Sequence, residues 1–194
     1  MTNAEVFRPR SGYFLAGVMI AGSLLLVIQT LFYSRGEDLL ATIGWAVTIS
    51  IVSYWLFIHP KVVVFDEGIT IRNPINEVTV SWADIDEIDV QYTMNISVGG
   101  KLIHAWAAPA PGRYHARTVH VNELKGMRLK SDNLLRPGES PRTYSGEAAQ
   151  IARARYEAFI ANPRERIESV VATPTRLLLA IGATTTAALA LSIF

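Results

Sequence analysis

The sequence predicts an integral membrane protein with three transmembrane helices and one small α+β domain, an antiparallel β-sheet followed by a C-terminal helix. Three observations lead to this fold class. Charged residues are absent from residues 11–34, 39–60 and 177–194, and each run can cross most or all of a hydrocarbon core of about 30 Å. Only 18% of the 194 residues are charged, against about a quarter in ordinary soluble domains. Between the second and third runs, apolar and polar residues alternate with the period of β-strands.

The three uncharged runs are predicted as membrane spans over about residues 12–34, 39–59 and 174–194. The first run exceeds the apolar core of a signal peptide and a second span follows almost at once, so we interpret it as an anchor. Thr173 and Pro174 suit the start of the third helix. Lys and Arg favour the side that holds the N-terminal tail and the middle domain. This bias predicts a plasma-membrane protein whose N-terminus and domain are cytoplasmic and whose C-terminus lies outside.

The residues between the second and third spans are predicted to form one domain over residues 61–162, which is long enough for a small core. A tail and two spans then occupy residues 1–60, and a linker and the third span occupy residues 163–194. The chain contains no cysteine, so it can form neither disulfides nor thiolate metal sites.

The first half of the domain has the pattern of short strands separated by turn residues. An Asp-Glu-Gly turn at residues 66–68 separates the first two strands, and an Asn-Pro pair at residues 73–74 ends the second. Trp82 alternates in phase with Val78 and Val80. We therefore predict that Trp82 belongs to the structural core.

The longest alternating pattern, residues 88–98, predicts one strand with a buried face. A Gly-Gly pair at residues 99–100 closes a hairpin onto a returning strand over residues 101–107. Trp106 lies in that returning strand and is also predicted to belong to the structural core. Pro109 ends the strand, because proline cannot donate a hydrogen bond to a ladder.

The second half of the domain has weaker periodicity until a helix begins. A short strand is predicted at residues 118–121. Ser145 is predicted to cap a helix that continues to about Ala161, with Glu147 in its first turn. Its apolar face comprises Ala148, Ile151, Ala152, Tyr156 and Phe159.

Four stretches resemble the actinobacterial membrane proteins that carry a bacterial pleckstrin-homology (PH) domain: "HPKVVVFDEGITIRN", "VSWADIDEIDV", "KLIHAWAAPAPGR" and "SGEAAQIARARYEAF". The resemblance covers roughly residues 8–162, and the third span lies outside it. It implies two N-terminal helices before a PH-like domain, in which a curved antiparallel sheet or barrel is closed by a C-terminal helix. The family is largely uncharacterised, so the resemblance implies a fold and a location but no activity.

The sequence gives little support for catalysis, and we predict no enzyme activity, no cofactor and no metal. It lacks the serine-hydrolase, phosphate-loop and zinc-protease motifs. His104, His115 and His120 have neither helical ligand spacing nor a carboxylate partner. A net charge of +1 disfavours nucleic acid, and the acidic first hairpin disfavours phosphoinositides. No small-molecule substrate is indicated.

Charge divides the predicted domain into an acidic and a basic part. Acids outnumber bases over residues 66–89, and bases outnumber acids over residues 101–142. Beside an anionic leaflet, each well-placed Lys or Arg contributes about 1 kcal/mol of attraction. The candidate docking surface comprises Arg113, Arg117, Lys125, Arg128, Lys130 and Arg136. The alternative is a solvated loop with scattered charges.

Together these observations predict a non-enzymatic membrane protein that presents its PH-like domain at the cytoplasmic face, as a module that docks a protein or a lipid. Its partners are then the bilayer and another membrane protein or membrane complex. The alternative is a structural or accessory subunit of a larger multi-subunit membrane complex. Close helix packing is permitted by small residues four apart, Gly17 with Ala21 and Ala183 with Ala187. Packing among the three helices of this chain would use them equally well.

Overall fold

The computed structural model describes residues 2–33, 36–111, 137–140 and 142–193. In chain order the elements are β1 (Glu5–Phe7), α1 (Arg10–Tyr33), α2 (Gly36–Ser53), β2 (Lys61–Phe65), β3 (Gly68–Arg72), β4 (Glu77–Ser81), β5 (Glu87–Val90), β6 (Thr93–Val98), β7 (Lys101–Pro109), α3 (Tyr144–Ala161), β8 (Val170–Ala172) and α4 (Thr175–Ile193). A π-helical turn over Tyr54–Ile58 continues α2, and a 3₁₀ turn over Trp82–Asp84 follows β4. The predicted strand at residues 118–121 lies outside the described residues.

The chain divides into two compact units. The helical unit comprises Arg10–Pro60 and Thr173–Phe194, and the sheet unit comprises Met1–Pro9 and Lys61–Ala172. The main segment of the sheet unit begins at residue 61, as the predicted domain does, and the unit has two additional parts. The N-terminal tail and residues 163–172 belong to the sheet unit, because β1 and β8 lie within them and pair with its strands.

Three helices of the helical unit are long and apolar enough to cross a membrane: Arg10–Tyr33, Asp38–Ile58 and Thr175–Ile193. They confirm the three predicted helices to within a few residues. The helix α2 packs against both α1 and α4. Small residues allow the close approach: a Cβ at Gly12 would collide with the carbonyl oxygen of Phe57, and Gly44 lies against Ala188.

Five strands of the sheet unit form sheet A, in the order β1-β2-β3-β4-β8, with every neighbour antiparallel. Its central strands β2, β3 and β4 are rich in Val and Ile, whose branched side chains suit a pleated surface. The predicted turn between β2 and β3 is confirmed, because it occupies the two residues between Phe65 and Gly68. The two edge strands are three residues each.

The other three strands form sheet B, in the order β5-β6-β7. The single strand predicted over residues 88–98 is wrong, because the chain reverses at Gln91 and Tyr92 and pairs Val90 with Met94. An even spacing separates these two inward residues, so the alternating pattern continues through the turn without a break. The predicted Gly99–Gly100 hairpin is confirmed, with φ angles of +54° and +77° that favour glycine.

One helix, α3, packs against β2, β5, β6 and β7 and closes the core of the sheet unit. Its N-cap is Thr143 rather than the predicted Ser145: the Thr143 hydroxyl accepts a hydrogen bond from the Gly146 N–H at 3.0 Å. The Ser145 side chain is instead buried and donates to the Gly138 carbonyl at 2.8 Å. Small residues on the buried helix face, Ala148, Ala149 and Ala152, allow the helix to approach the sheets closely.

Candidate functional site

Three strands of sheet A connect directly to the apolar helices, and all three do so at the same end of the sheet. The register pairs Phe7 with Val62, Lys61 with Arg72, Arg72 with Glu77, and Glu77 with Ala172. Two residues separate β1 from α1, two separate β8 from α4, and β2 begins immediately after Pro60. We call this end of sheet A, including the β3–β4 turn at residues 73–76, the helix-joined end.

Three basic residues, Arg8, Lys61 and Arg72, interact at the helix-joined end. The Arg72 guanidinium forms a two-pronged ion pair with Glu77, in which both N···O distances are 2.6 Å. Partial burial of Lys61, followed by the charges of Arg72 and Arg8, lowers the pKa of Lys61, and Glu77 opposes this shift. The lowered pKa means that desolvation and repulsion disfavour the ammonium charge. A negatively charged group supplied from outside would therefore stabilise it.

Two large apolar side chains are exposed beside these charges. Ile75, in the β3–β4 turn, is 68% exposed, and Trp106 of β7 is 56% exposed. Asn73 fixes Trp106 next to the turn: its amide donates to the His104 carbonyl at 2.9 Å, and its Oδ1 accepts from the Trp106 N–H at 2.9 Å. One asparagine side chain thus joins sheet A to sheet B by taking the place of a neighbouring strand residue.

The predicted core tryptophans have different surroundings. Trp82 is 1% exposed, and its indole N–H donates to the Phe65 carbonyl at 2.9 Å. The prediction that Trp106 is a core residue was wrong. Ile103 pairs with the buried Ile96, so Trp106, three residues further along, lies on the opposite face. Alanines occupy the neighbouring inward positions of β7.

The predicted docking residues are not tested by this geometry. Arg113, Arg117, Lys125, Arg128, Lys130 and Arg136 all lie outside the described residues. The described chain only leads up to them. As predicted, β7 ends at Pro109, and the Ala110 N–H then donates to the Tyr92 carbonyl at 2.8 Å, which fixes the exit from sheet B.

Acidic side chains bind the tail and the segment before α4 to the sheet unit. The Asp66 carboxylate accepts hydrogen bonds from Arg155 at 2.7 Å and from Asn3 at 2.9 Å, and it forms an ion pair with Arg164 at 2.8 Å. Because Asp66 is almost fully buried, these partners offset the cost of removing its charge from water. These pairs could not be predicted from the sequence, because the partners lie tens of residues away from Asp66 along the chain.

A second acidic residue, Asp84 after β4, also binds the segment before α4. The Asp84 carboxylate lies 2.6 Å from the Arg166 guanidinium and accepts a hydrogen bond from the Ser169 hydroxyl at 3.0 Å. Both partners lie in the segment that leads into β8. The sequence predicted this segment as a linker, and its attachment explains how β8 can pair at the sheet edge.

The described residues contain no group of three or more His, Cys, Asp or Glu side chains that could hold a metal ion. A cavity of about 350 Å³ lies between the end of α3 and the segment after it, lined by Asp66, Arg155, Ala158, Phe159, Ala161, Asn162 and Arg164. Its Asp66 carboxylate pairs with both arginines, so the cavity presents mainly an apolar wall.

Comparisons with known proteins give no identification: no family model, no curated protein and no solved structure matches this chain. The resemblance to bacterial PH-domain membrane proteins thus stays a prediction. The geometry on its own gives an antiparallel-sheet domain with a C-terminal helix, together with three helices apolar enough to span a membrane. Function has to be inferred from how these parts are connected.

Proposed function

We propose that this protein is a non-enzymatic, membrane-anchored docking module that presents a PH-like domain at the cytoplasmic face of the plasma membrane. The observation that supports it most is the attachment of one sheet to three apolar helices through connections of two residues each. A domain tethered in this way cannot diffuse away from the bilayer. Its purpose is then to hold a surface in a fixed relation to the membrane.

Strand pairing supports a topology of three spans. Because β1 pairs with β2, the chain must return to the same side of a membrane between Phe7 and Lys61, so α1 and α2 cross as a pair. Pairing of β8 with β4 keeps Ala172 on that side as well, and α4 then carries the chain across. Basic residues beside the helix ends on that side favour the cytoplasm.

Sidedness is testable because the chain has no native cysteine. We expect an impermeant maleimide to label a cysteine added after Phe194 in intact cells, and to label Ala83→Cys only after permeabilisation. Ala83 is an exposed residue at the far end of sheet A, so its substitution leaves the core intact. Equal labelling of both cysteines in intact cells would exclude the proposed topology.

The docking role itself is tested by charge reversal within the predicted surface. Full-length wild-type protein, Lys130→Glu and Lys101→Glu are extracted with their surrounding lipid, and co-extracted proteins and lipids are quantified. Lys101 is an exposed hairpin residue outside the predicted docking surface, so it is the matched control. We expect only Lys130→Glu to deplete one class of partner, either a protein or anionic lipid. No depletion of either class contradicts docking through this segment.

A second candidate function, an accessory subunit of a larger membrane complex, is favoured by a feature of the helical unit. The predicted packing residues Gly17, Ala21, Ala183 and Ala187 are exposed, and the helices of this chain pack through other small residues instead. Exposed small residues in membrane helices suit contact with further helices. Native mass measurement after gentle extraction distinguishes the two functions: a large stable complex supports the subunit, and a small particle supports the free module.

A further inference from the structure

We infer that the helix-joined end of sheet A rests on the anionic lipid surface of the membrane, with Ile75 and Trp106 in the headgroup region and Arg8 and Lys61 facing lipid phosphates. These residues, together with Arg72, are called the juxtamembrane rim. The inference deepens the proposed function, on which it rests, because it assumes that the three apolar helices span a bilayer.

Chain length alone brings the rim close to lipid. Lys61 follows the last residue of the second apolar helix, Ile58, by three residues, and three residues extend at most about 10 Å. The headgroup layer on each side of the hydrocarbon core is about 5–7 Å thick. Arg72 pairs directly with Lys61, so the turn that carries Ile75 lies at the same level of the sheet.

The side chains of the rim suit that layer. An exposed Ile beside an exposed Trp is unfavourable in water, whereas Trp is enriched where an apolar body and a polar N–H meet the bilayer interface. Arg8 and Lys61 are basic, and together with Arg72 they outnumber Glu77, the acid that lies among them in the described part of the chain. Anionic headgroups complement such a group of charges. A zwitterionic surface would provide no such compensation.

The far end of sheet A provides the internal comparison. Ala83 follows β4, whose five residues extend about 16 Å from the rim, and it is exposed. The arginines at this end, Arg155, Arg164 and Arg166, form ion pairs with Asp66 and Asp84, so acids of the chain itself compensate their charges. A label at Ala83 should therefore remain in water when a label at Ile75 is in the headgroup layer. Because both sites are exposed, neither substitution removes a buried contact.

The test uses full-length Ile75→Cys and Ala83→Cys, each carrying a nitroxide, in nanodiscs of phosphatidylcholine with or without phosphatidylglycerol. We expect the nitroxide at residue 75 to be more accessible to oxygen than to a water-soluble nickel reagent. The nitroxide at residue 83 should be more accessible to the nickel reagent, as expected for a site in water. Phosphatidylglycerol should increase this difference, and Lys61→Gln in the Ile75→Cys background should remove the increase.

If both nitroxides are accessible mainly to the nickel reagent in both lipid mixtures, the inference is overturned. The topology measured by maleimide labelling does not depend on this result. Lipid accessibility at both positions also overturns the inference, because the far end of the sheet would then contact lipid too. An effect at residue 75 that is the same with and without phosphatidylglycerol overturns the assignment of an anionic surface. A nitroxide at Trp106→Cys provides a second measurement, and its accessibility to the two reagents should resemble that at residue 75.

Discussion

Sheet A has strands of three to five residues and sheet B has strands of four to nine, and the two sheets also differ in what adjoins them. Both edges of sheet A are three-residue strands, β1 and β8, and the chain connects each of them to an apolar helix. Sheet B exposes large side chains at Tyr92, Leu102 and Trp106 and leads into the basic segment. Short edge strands protect a sheet from unwanted pairing. Sheet A also exposes apolar side chains, at Val6, Ile75, Val170 and Val171. The comparison therefore assigns the attachment to the helices to sheet A, whereas sheet B carries the chain into the basic segment.

The two tryptophans should show this difference most strongly. Trp82→Ala removes a buried indole and its hydrogen bond to Phe65, and it should lower the free energy of unfolding by about 3–5 kcal/mol. Trp106→Ala removes an exposed side chain and should change it by less than about 1 kcal/mol. Hydrogen exchange of β2–β4 in the detergent-solubilised full chain measures both. Equal destabilisation would mean that sheet B shares the core role assigned to Trp82.

Patterns within a short stretch of sequence were predictable. The three apolar helices, the turn between β2 and β3, the Gly99–Gly100 hairpin and the end of β7 at Pro109 each follow from local composition. Burial of Trp82 was predictable for the same reason, since it alternates with two valines. These features depend on neighbours within a few residues, which a single sequence displays.

Features that depend on distant partners were not predictable. The strands β1 and β8 have three residues each, too few to show a period, and their partners lie more than fifty residues away. The turn at Gln91 and Tyr92 contains neither Gly nor Pro. The outward face of Trp106 depends on the register between β6 and β7. For the candidate site, the sequence pointed to the basic segment, whereas the helix-joined end became visible only through strand pairing.

Asp66→Asn should loosen the attachment of sheet A to its flanking segments. The substitution removes the charge that Arg155 and Arg164 share, and we expect a loss of about 1–3 kcal/mol. Exchange should increase over residues 2–7 and 162–172 more than in β3. Asp86→Asn is the matched control, because Asp86 is exposed and the hydrogen bonds of its carboxylate are 3.4–3.5 Å long. An equal response to both substitutions would show that Asp66 is not a specific attachment point.

Asn73→Ala should uncouple the two sheets while leaving each one folded. It removes the two hydrogen bonds to β7, for a loss of about 1–2 kcal/mol. Faster exchange should be confined to the Trp106 N–H and its neighbours. Asn76→Ala is the control, because the Asn76 side chain bonds only to Asn73 among the hydrogen bonds described. If Asn76→Ala had the same effect at Trp106, the turn as a whole, rather than the Asn73 amide, would join the sheets.

The smallest expected effect concerns the N-terminal tail and its pH dependence. Hydrogen bonds from Thr2, chiefly from its hydroxyl, lower the pKa of Glu67 from 4.5. A carboxyl whose pKa is lowered by folding stabilises the folded state above its unfolded pKa, and this contribution is lost as the pH falls through the lower folded value. A nitroxide at Ala4→Cys should therefore become more mobile as the pH falls below about 4.5.

In the Glu67→Gln background this nitroxide should be mobile at every pH, whereas Glu165→Gln, at an exposed position, should preserve the pH response. Because β1 still pairs with β2, only the first few residues should loosen. A tail that stays rigid in Glu67→Gln would show that strand pairing and the Asn3–Asp66 hydrogen bond hold it to sheet A without Glu67.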